Sequence, residues 1–305
     1  MTIQKAVQAF LIEQEVKGNT EKTRDNYKTY LGYFQDYIGK DTNIKELDAG
    51  KLNDYSLSLK NGKRSQATVQ TYIRHTRAFI GWLENEGYVE NLHSKFKLPK
   101  ATKKIIEVLS DEEIEKVFKC FNERCSLGLR NILIIALMMD SGLRKNEIIT
   151  LDCDNIHISQ GVIKVKGKGQ KERLVPMGVY AKRYLVKYLN GGRILPDLES
   201  NRLIIDKDRK PITQNAIKML FQRLKKKTGI KRLKPHLMRH TFATRYLING
   251  GDIFSLQQIL GHTSLEMVRR YMHLASSYTV RTFKRHSPLD NYYRNKQNGF
   301  NNENP

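Results

Sequence analysis

Four segments in the second half of the chain carry residue types that could do chemistry on a phosphate. They are Ser141-Gly142-Leu143-Arg144-Lys145-Asn146-Glu147, Gly167-Lys168-Gly169, Pro235-His236-Leu237-Met238-Arg239-His240, and Leu260-Gly261-His262 with Tyr271 nine residues further on. Cutting a phosphodiester without a metal needs a nucleophile, neutralisation of charge on the phosphate, and a proton for the leaving oxygen. Arg144 and Arg239 are candidates for clamping the non-bridging oxygens, because a planar guanidinium donates a bidentate pair to phosphate. Taken singly, either is an ordinary surface arginine among 54 basic residues. His236 stands three residues before Arg239, which puts both on one helical face. Its imidazole, with an unperturbed pKa of about 6.5, could accept the proton of an attacking phenol. Any one of 15 tyrosines is ordinarily a packing residue. The spacing of Tyr271 from His262, and the flanking Arg269 and Arg270, single it out, because a phenol needs nearby cations or a base to react at neutral pH.

Other assignments stay open at this level. Lys168 sits between two glycines, where a loop could carry an ammonium to a leaving oxygen, yet Lys164, Lys166 and Lys171 surround it as they would any solvated turn. The loop does not read G-x-x-x-x-G-K-[ST], which rejects a nucleotide triphosphate site. His236 and His240 are four apart, but H-L-M-R-H lacks the glutamate of H-E-x-x-H and shows no third ligand. No metal or cofactor is therefore expected, and His240 reads as a packing or supporting residue. Glu147 has no phosphate to attract it and is expected to pair with a catalytic cation and orient it. The basic group Arg223, Lys225, Lys226, Lys227, Lys231 and Arg232 is either a solvated helix end or a stripe that contacts DNA phosphates without reading bases.

The elements that must position these residues follow from periodicity. Residues 1–90 read as a helical bundle: Ile3, Val7, Phe10 and Leu11 share a face, as do Tyr27, Leu31, Phe34 and Ile38. A shorter helix spans Leu47 to Leu59, and Val69 to Leu83 makes a fourth stripe beside Trp82. Residues 91–106 lack periodicity, are rich in lysine and contain Pro99, and read as a basic linker. A domain over 107–285 opens on the capping box Ser110-Asp111-Glu112-Glu113. The very apolar helix Asn131 to Asp140 follows, then a strand-rich patch, Ile156 to Val175, with a hairpin turn at Lys166 to Gln170. Helices resume from Thr213, and 286–305 is a tail. The expected fold is mainly α with a small antiparallel sheet, a helical bundle joined to a mixed α+β domain.

Length and charge narrow the function classes. The 305 residues suit two domains. The net charge is +23, with +4 in residues 1–100 and +19 in the remainder, which calls for an anionic partner. Mean hydropathy is −0.57 and no apolar run approaches a membrane span. The three cysteines are too few and too irregular for a disulfide framework or zinc module. A cytoplasmic, nucleoid-associated protein facing nucleic acid is the expectation, with no membrane.

The four motifs, in this order, resemble the tyrosine recombinase family of phage integrases, Xer-type recombinases and transposon integrases. The resemblance runs from Ser110 to about Arg285, and the first domain is similar to that family's SAM-like core-binding domain. It implies a site-specific DNA recombinase in which Tyr271 attacks a scissile phosphate, giving a 3′-phosphotyrosyl bond, with Lys168 as general acid. His262 would hydrogen-bond the phosphate, and His273 matches a frequent structural residue. The partners implied are double-stranded DNA with an inverted-repeat-like site and a homo-tetramer on two duplexes, which an accessory protein or second recombinase could join. The two domains would clamp the DNA, and the C-terminal segment would dock on a neighbour or fold back on its own domain. The chain begins almost directly with core-binding helices, which leads one to expect no additional arm-binding domain, as in Xer-like or transposon-type enzymes. S-G-L-R-K-N-E replaces the commoner T-G-L-R-x-x-E, a conservative change. A type IB topoisomerase activity and a catalytically silent DNA-binding regulator are the readings from other classes.

Overall fold

The computed structural model describes the chain apart from residues 63, 100–105, 168–171, 197–199, 262–270, 272–286, 290–291 and 293–305. It forms two compact units, Met1–Lys104 and Ile105–Pro305.

In the first unit, α1 (Ile3–Val16), α2 (Glu21–Ile38), α3 (Ala49–Asn61) and α4 (Gln66–Asn85) carry the helical stripes expected from the sequence. Each begins at a residue whose side-chain oxygen accepts a backbone N–H of the first turn: Thr2, Thr20, Asp48 and Ser65. Such caps satisfy donors that a helix start otherwise leaves unpaired. Phe10, Leu31, Phe34, Leu52, Tyr55, Ile73, Phe79 and Leu83 are buried between the helices, with Phe10 and Phe79 edge to face at 5.6 Å. The unit extends beyond the expected boundary at residue 90. A one-turn helix, α5 (Leu92–Lys95), packs on α4, burying Leu92 and Phe96. Arg77 donates to the carbonyl of His93, and Glu84 accepts from its amide. A single turn is too short to show a period, so this segment read as linker.

The second unit is built around α7 (Ser126–Asp140), buried on most sides and packed against α9 (Val179–Lys187) and α11 (Pro235–Ile248). Before it comes α6 (Asp111–Lys119), where the Ser110/Glu113 capping box is formed. After it come α8 (Lys145–Ile149) and a three-stranded antiparallel sheet, β1 (Ile156–His157), β2 (Val162–Lys166) and β3 (Glu172–Pro176), in the order β1-β2-β3. The register pairs Ile163 with Val175 and Val165 with Arg173. Ile163, Val165 and Val175 face the core. The remaining helices are α10 (Gln214–Thr228), α11 and α12 (Ile253–Leu260). Tyr271 is helical and buried, whereas Tyr292 is exposed. Lys168, His262, His273 and the expected short helix over 279–283 lie outside the described residues. Among those described, no helix is long and apolar enough to cross a membrane, and the three cysteines are free.

Candidate active site

The position of Arg144 is decided by how α7 ends. Gly142, just past the helix, has φ +64°, the left-handed conformation that closes many helices. Leu143 N–H then reaches back to the carbonyl of Leu137. A Cβ on Gly142 would lie 2.5 Å from the Phe242 ring, so both the conformation and the space require glycine. The chain turns at once into α8 with Arg144 as its N-cap residue. Glu147 accepts from the Arg144 backbone N–H at 2.8 Å and from Arg144 Nη1 at 2.8 Å.

Glu147 is 6 % exposed and holds a second arginine as well. Arg173 of β3 donates Nη1 and Nη2 to its two oxygens at 2.9 and 3.0 Å. Burial would raise the Glu147 carboxyl, but the bonds from Arg173 and Arg144 outweigh it and hold the group below its usual range. Glu147 thus pairs with both Arg144 and Arg173, and Arg173 is a member of the cluster that the sequence did not single out.

Arg239, on α11, is 5 % exposed. Its Nη1 donates to the carbonyl of Gly142 and its Nη2 to that of Leu260 at 2.6 Å. Burial first, and then the neighbouring Arg144, push its pKa down to about 9. The end of α12 is where the arginines meet. Arg173 Nε donates to Ile259 O at 2.8 Å, Arg239 to Leu260 O, and Arg144 Nη2 to Gly261 O at 3.5 Å. Helix C-terminal carbonyls lack intrahelical donors and carry partial negative charge, so three consecutive ones form a natural seat for guanidinium groups. The seat fixes Arg144 and Arg239 immediately before the segment that begins at His262.

His236 lies in the first turn of α11, after Pro235 at the helix start. Partial loss of water around the ring, and then Arg239, Lys234, Lys145 and Arg144, lower its pKa below the usual 6.5. Four residues on, His240 Nδ1 is 2.8 Å from Tyr271 Oη. The phenol of the expected nucleophile therefore rests on a histidine that reads from the sequence as packing or supporting. The His236 and His240 rings lie 6.4 Å apart, centre to centre. The signal available in the sequence was the i, i+4 pair itself, which, without a third ligand, pointed to no metal and gave no hint of the Tyr271 contact. Among the described residues, no group of three metal-ligating side chains occurs.

The basic group divides. Arg223, Lys226, Lys227 and Lys231 are exposed and Lys225 is partly so. Arg232 is instead engaged twice with Glu113, at 2.6 and 2.7 Å, and donates to Val108 O, tying the start of α6 to the loop before α11.

With this geometry in view, comparison with known proteins is decisive. Residues 107–277 match the phage integrase family and residues 5–103 the phage integrase SAM-like domain. The chain belongs to the phage integrase family. Tyrosine recombinase XerD of Oceanobacillus iheyensis is 29% identical, over 89% of this chain and 94% of the relative. Tyrosine recombinase XerC of Bacillus pumilus is 32% identical over 73% of this chain and 76% of its own length. Among solved structures, the Tn1549 transposon integrase in complex with circular intermediate DNA superposes with a TM-score of 0.76 at 19% identity, covering 89% of this chain and 95% of that one. XerH bound to palindromic difH substrate gives 0.71 at 23% identity, covering 91% and 82%. The structures share the fold: a helical first domain and a mainly helical second domain with a small antiparallel sheet.

Two expectations follow. Gly142→Ala, strained by its φ and by Phe242, should lower the unfolding free energy by about 2 kcal/mol, read from the urea midpoint. An NMR titration of the free protein should find the His236 imidazole titrating below its usual value, lowered by partial loss of water and the neighbouring cations. Lys234→Met removes one of the cations that depress it, so the titration should move upward; an unchanged midpoint would refute that cause.

Proposed function

We propose that Tyr271 is the nucleophile of this chain, a tyrosine-type site-specific DNA recombinase, and that Arg144 and Arg239 clamp the scissile phosphate. The observation that carries the reading is the seating of both guanidinium groups, with Glu147, on the end of α12. The Tyr271 hydroxyl is held by His240 on the helix that also bears Arg239. The phenolic oxygen attacks phosphorus, a 3′-phosphotyrosyl bond forms, and the bond to the 5′ oxygen breaks. Lys168 supplies the proton that the 5′ oxygen takes up, and His262 hydrogen-bonds the phosphate. The phenol's proton passes to His240, its immediate partner, or to His236, neutral in this setting and on the same face of α11. A 5′-hydroxyl from a second duplex then attacks the phosphotyrosyl bond, and Tyr271 recovers its proton. Phosphodiester bond energy is kept throughout, so the balance closes without a nucleotide triphosphate.

The working assembly in this reading is a homo-tetramer on two duplexes whose sites carry inverted-repeat arms, with both units contacting the DNA. A second recombinase is a candidate partner, as XerC and XerD are among the relatives. The setting is the cytoplasm, on nucleoid DNA, where the reaction would integrate, excise or resolve DNA. Exposed Arg223, Lys226, Lys227 and Lys231, with Lys225, serve as phosphate contacts; Arg232, held by Glu113, serves the fold.

The test is covalent trapping on fragmented, nicked host DNA in EDTA, followed by sequencing of the protein-linked ends. Linked 3′ ends should cluster at one sequence and vanish in Tyr271→Phe. His240→Asn should slow adduct formation by about 100-fold, the typical loss of a proton acceptor. Scattered ends would point to topoisomerase-like relaxation, and tight binding with no adduct to a silent DNA-binding protein. Lys226→Glu with Lys227→Glu should weaken binding alike on all sequences and flatten its salt dependence, by a slope of about 1 per lost contact. Arg232→Ala should instead lower the thermal midpoint.

A further inference from the structure

We propose that Arg173 is a positioning residue for strand cleavage: it never touches DNA, but sets the place of the arginines that hold the scissile phosphate. The inference rests on the reading of Tyr271, Arg144 and Arg239 above.

Register is the first observation. Successive side chains of a strand alternate between faces, and Arg173 shares the inward face of β3 with Val175, opposite Val165 of β2. Val165 and Val175 are buried. An apolar residue would suit position 173, and the outward position beside it holds Leu174, which is 61% exposed. The strand thus buries an arginine and exposes a leucine. Removing a guanidinium from water is costly unless its donors are well placed, so the inversion asks for a reason that core packing does not supply.

The contacts give one. The Arg173 side chain is 12% exposed. Its two terminal nitrogens form a fork on Glu147, the carboxylate that also holds the backbone and side chain of Arg144. Its Nε holds the Ile259 carbonyl, next to the Leu260 carbonyl that receives Arg239. Gly261, at φ +60°, lets the chain pass close by: a Cβ there would meet Arg173 Cδ at 3.0 Å. One rigid side chain therefore fixes Glu147 and the end of α12, the two supports on which Arg144 and Arg239 depend. A lysine cannot replace it, since one ammonium cannot span both carboxylate oxygens and the carbonyl.

The test uses the full chain and a duplex carrying the trapped cleavage site, in two forms: the natural scissile phosphate, and a methylphosphonate in which a methyl group replaces one non-bridging oxygen. The neutral phosphonate gives misplaced arginines no charge to neutralise, so a defect that acts through Arg144 and Arg239 should shrink on it, whereas general loosening of the fold should not. Arg173→Lys and Arg173→Gln are expected to form adduct about 100-fold more slowly on the natural duplex at saturating protein, the scale of a roughly 1 Å misplacement. Their DNA dissociation constants should stay within about threefold of the parent, as for a residue that makes no phosphate contact. On the methylphosphonate the deficit should fall below about tenfold, because charge stabilisation is what has been lost. A parent-like rate on the natural duplex, an equal deficit on both duplexes, or a loss that merely follows DNA affinity would each overturn the proposal. If Arg173→Gln does not fold, Arg173→Lys decides by the same criteria. Adducts that persist in Tyr271→Phe would overturn the reading of the site itself, and this inference with it.

Discussion

One buried carboxylate holds together the arginine cluster of the second unit. Glu147 lies among Arg144, Arg173 and, beyond them, Arg239, all drawn toward the end of a single helix. Three like charges with little water between them repel, and burial first, then the neighbouring Arg144, push the Arg239 pKa down. Glu147 offsets part of it, and the three carbonyls that close α12 offset more. Remove the carboxylate and the guanidinium groups would have every electrostatic reason to separate into solvent. Truncating one partner of a buried ionic cluster is for this reason far more damaging than the net worth of the pair suggests.

The supports of the cluster come from element ends and a strand position. Gly142 ends α7 and aims Arg144, Pro235 starts α11 and sets His236 one turn before Arg239, and Gly261 ends α12 beside Arg173. Ends suit this work because their unpaired N–H and C=O groups bind side chains and phosphates without disturbing the ladder inside. The cores behind them, α7 above all, are apolar and closely packed, and rigid backing of this kind lets a short turn hold a side chain to within a fraction of an ångström.

How far the sequence revealed this depended on whether a signal was local. The stripes of α1 to α4, the Ser110 capping box and the apolar run of α7 are local patterns, and the structure has them where periodicity put them. Arg144, Arg239 and Glu147 could be singled out because short motifs, a glycine turn and an i, i+3 spacing among them, stand in one order along the chain; singly, either arginine reads as an ordinary surface residue. Arg173 left none: its partners are 26 and 86 residues away, and the run Arg173-Leu174-Val175 gives no hint that the arginine faces inward. His240 was visible as a histidine but not as the partner of Tyr271, because that contact joins two helices 31 residues apart. The helical turn at Leu92 escaped because one turn has no period, and the Arg232–Glu113 pair escaped because Glu113 lies 119 residues upstream.

The charge of the cluster bears on catalysis as well as on folding. Three guanidinium groups around one carboxylate carry two net positive charges. A phosphodiester brings one negative charge in its ground state and approaches two as the phenol adds and the five-coordinate arrangement forms. If Arg144 and Arg239 clamp the phosphate as proposed, the site is over-neutralised for bound DNA and better matched to the transition state, and only interactions stronger in the transition state than in the ground state accelerate a reaction. In the proposed reading that repulsion, offset in the free protein by Glu147 and the carbonyls at the end of α12, is partly relieved by a bound phosphate and relieved most at the transition state of strand cleavage.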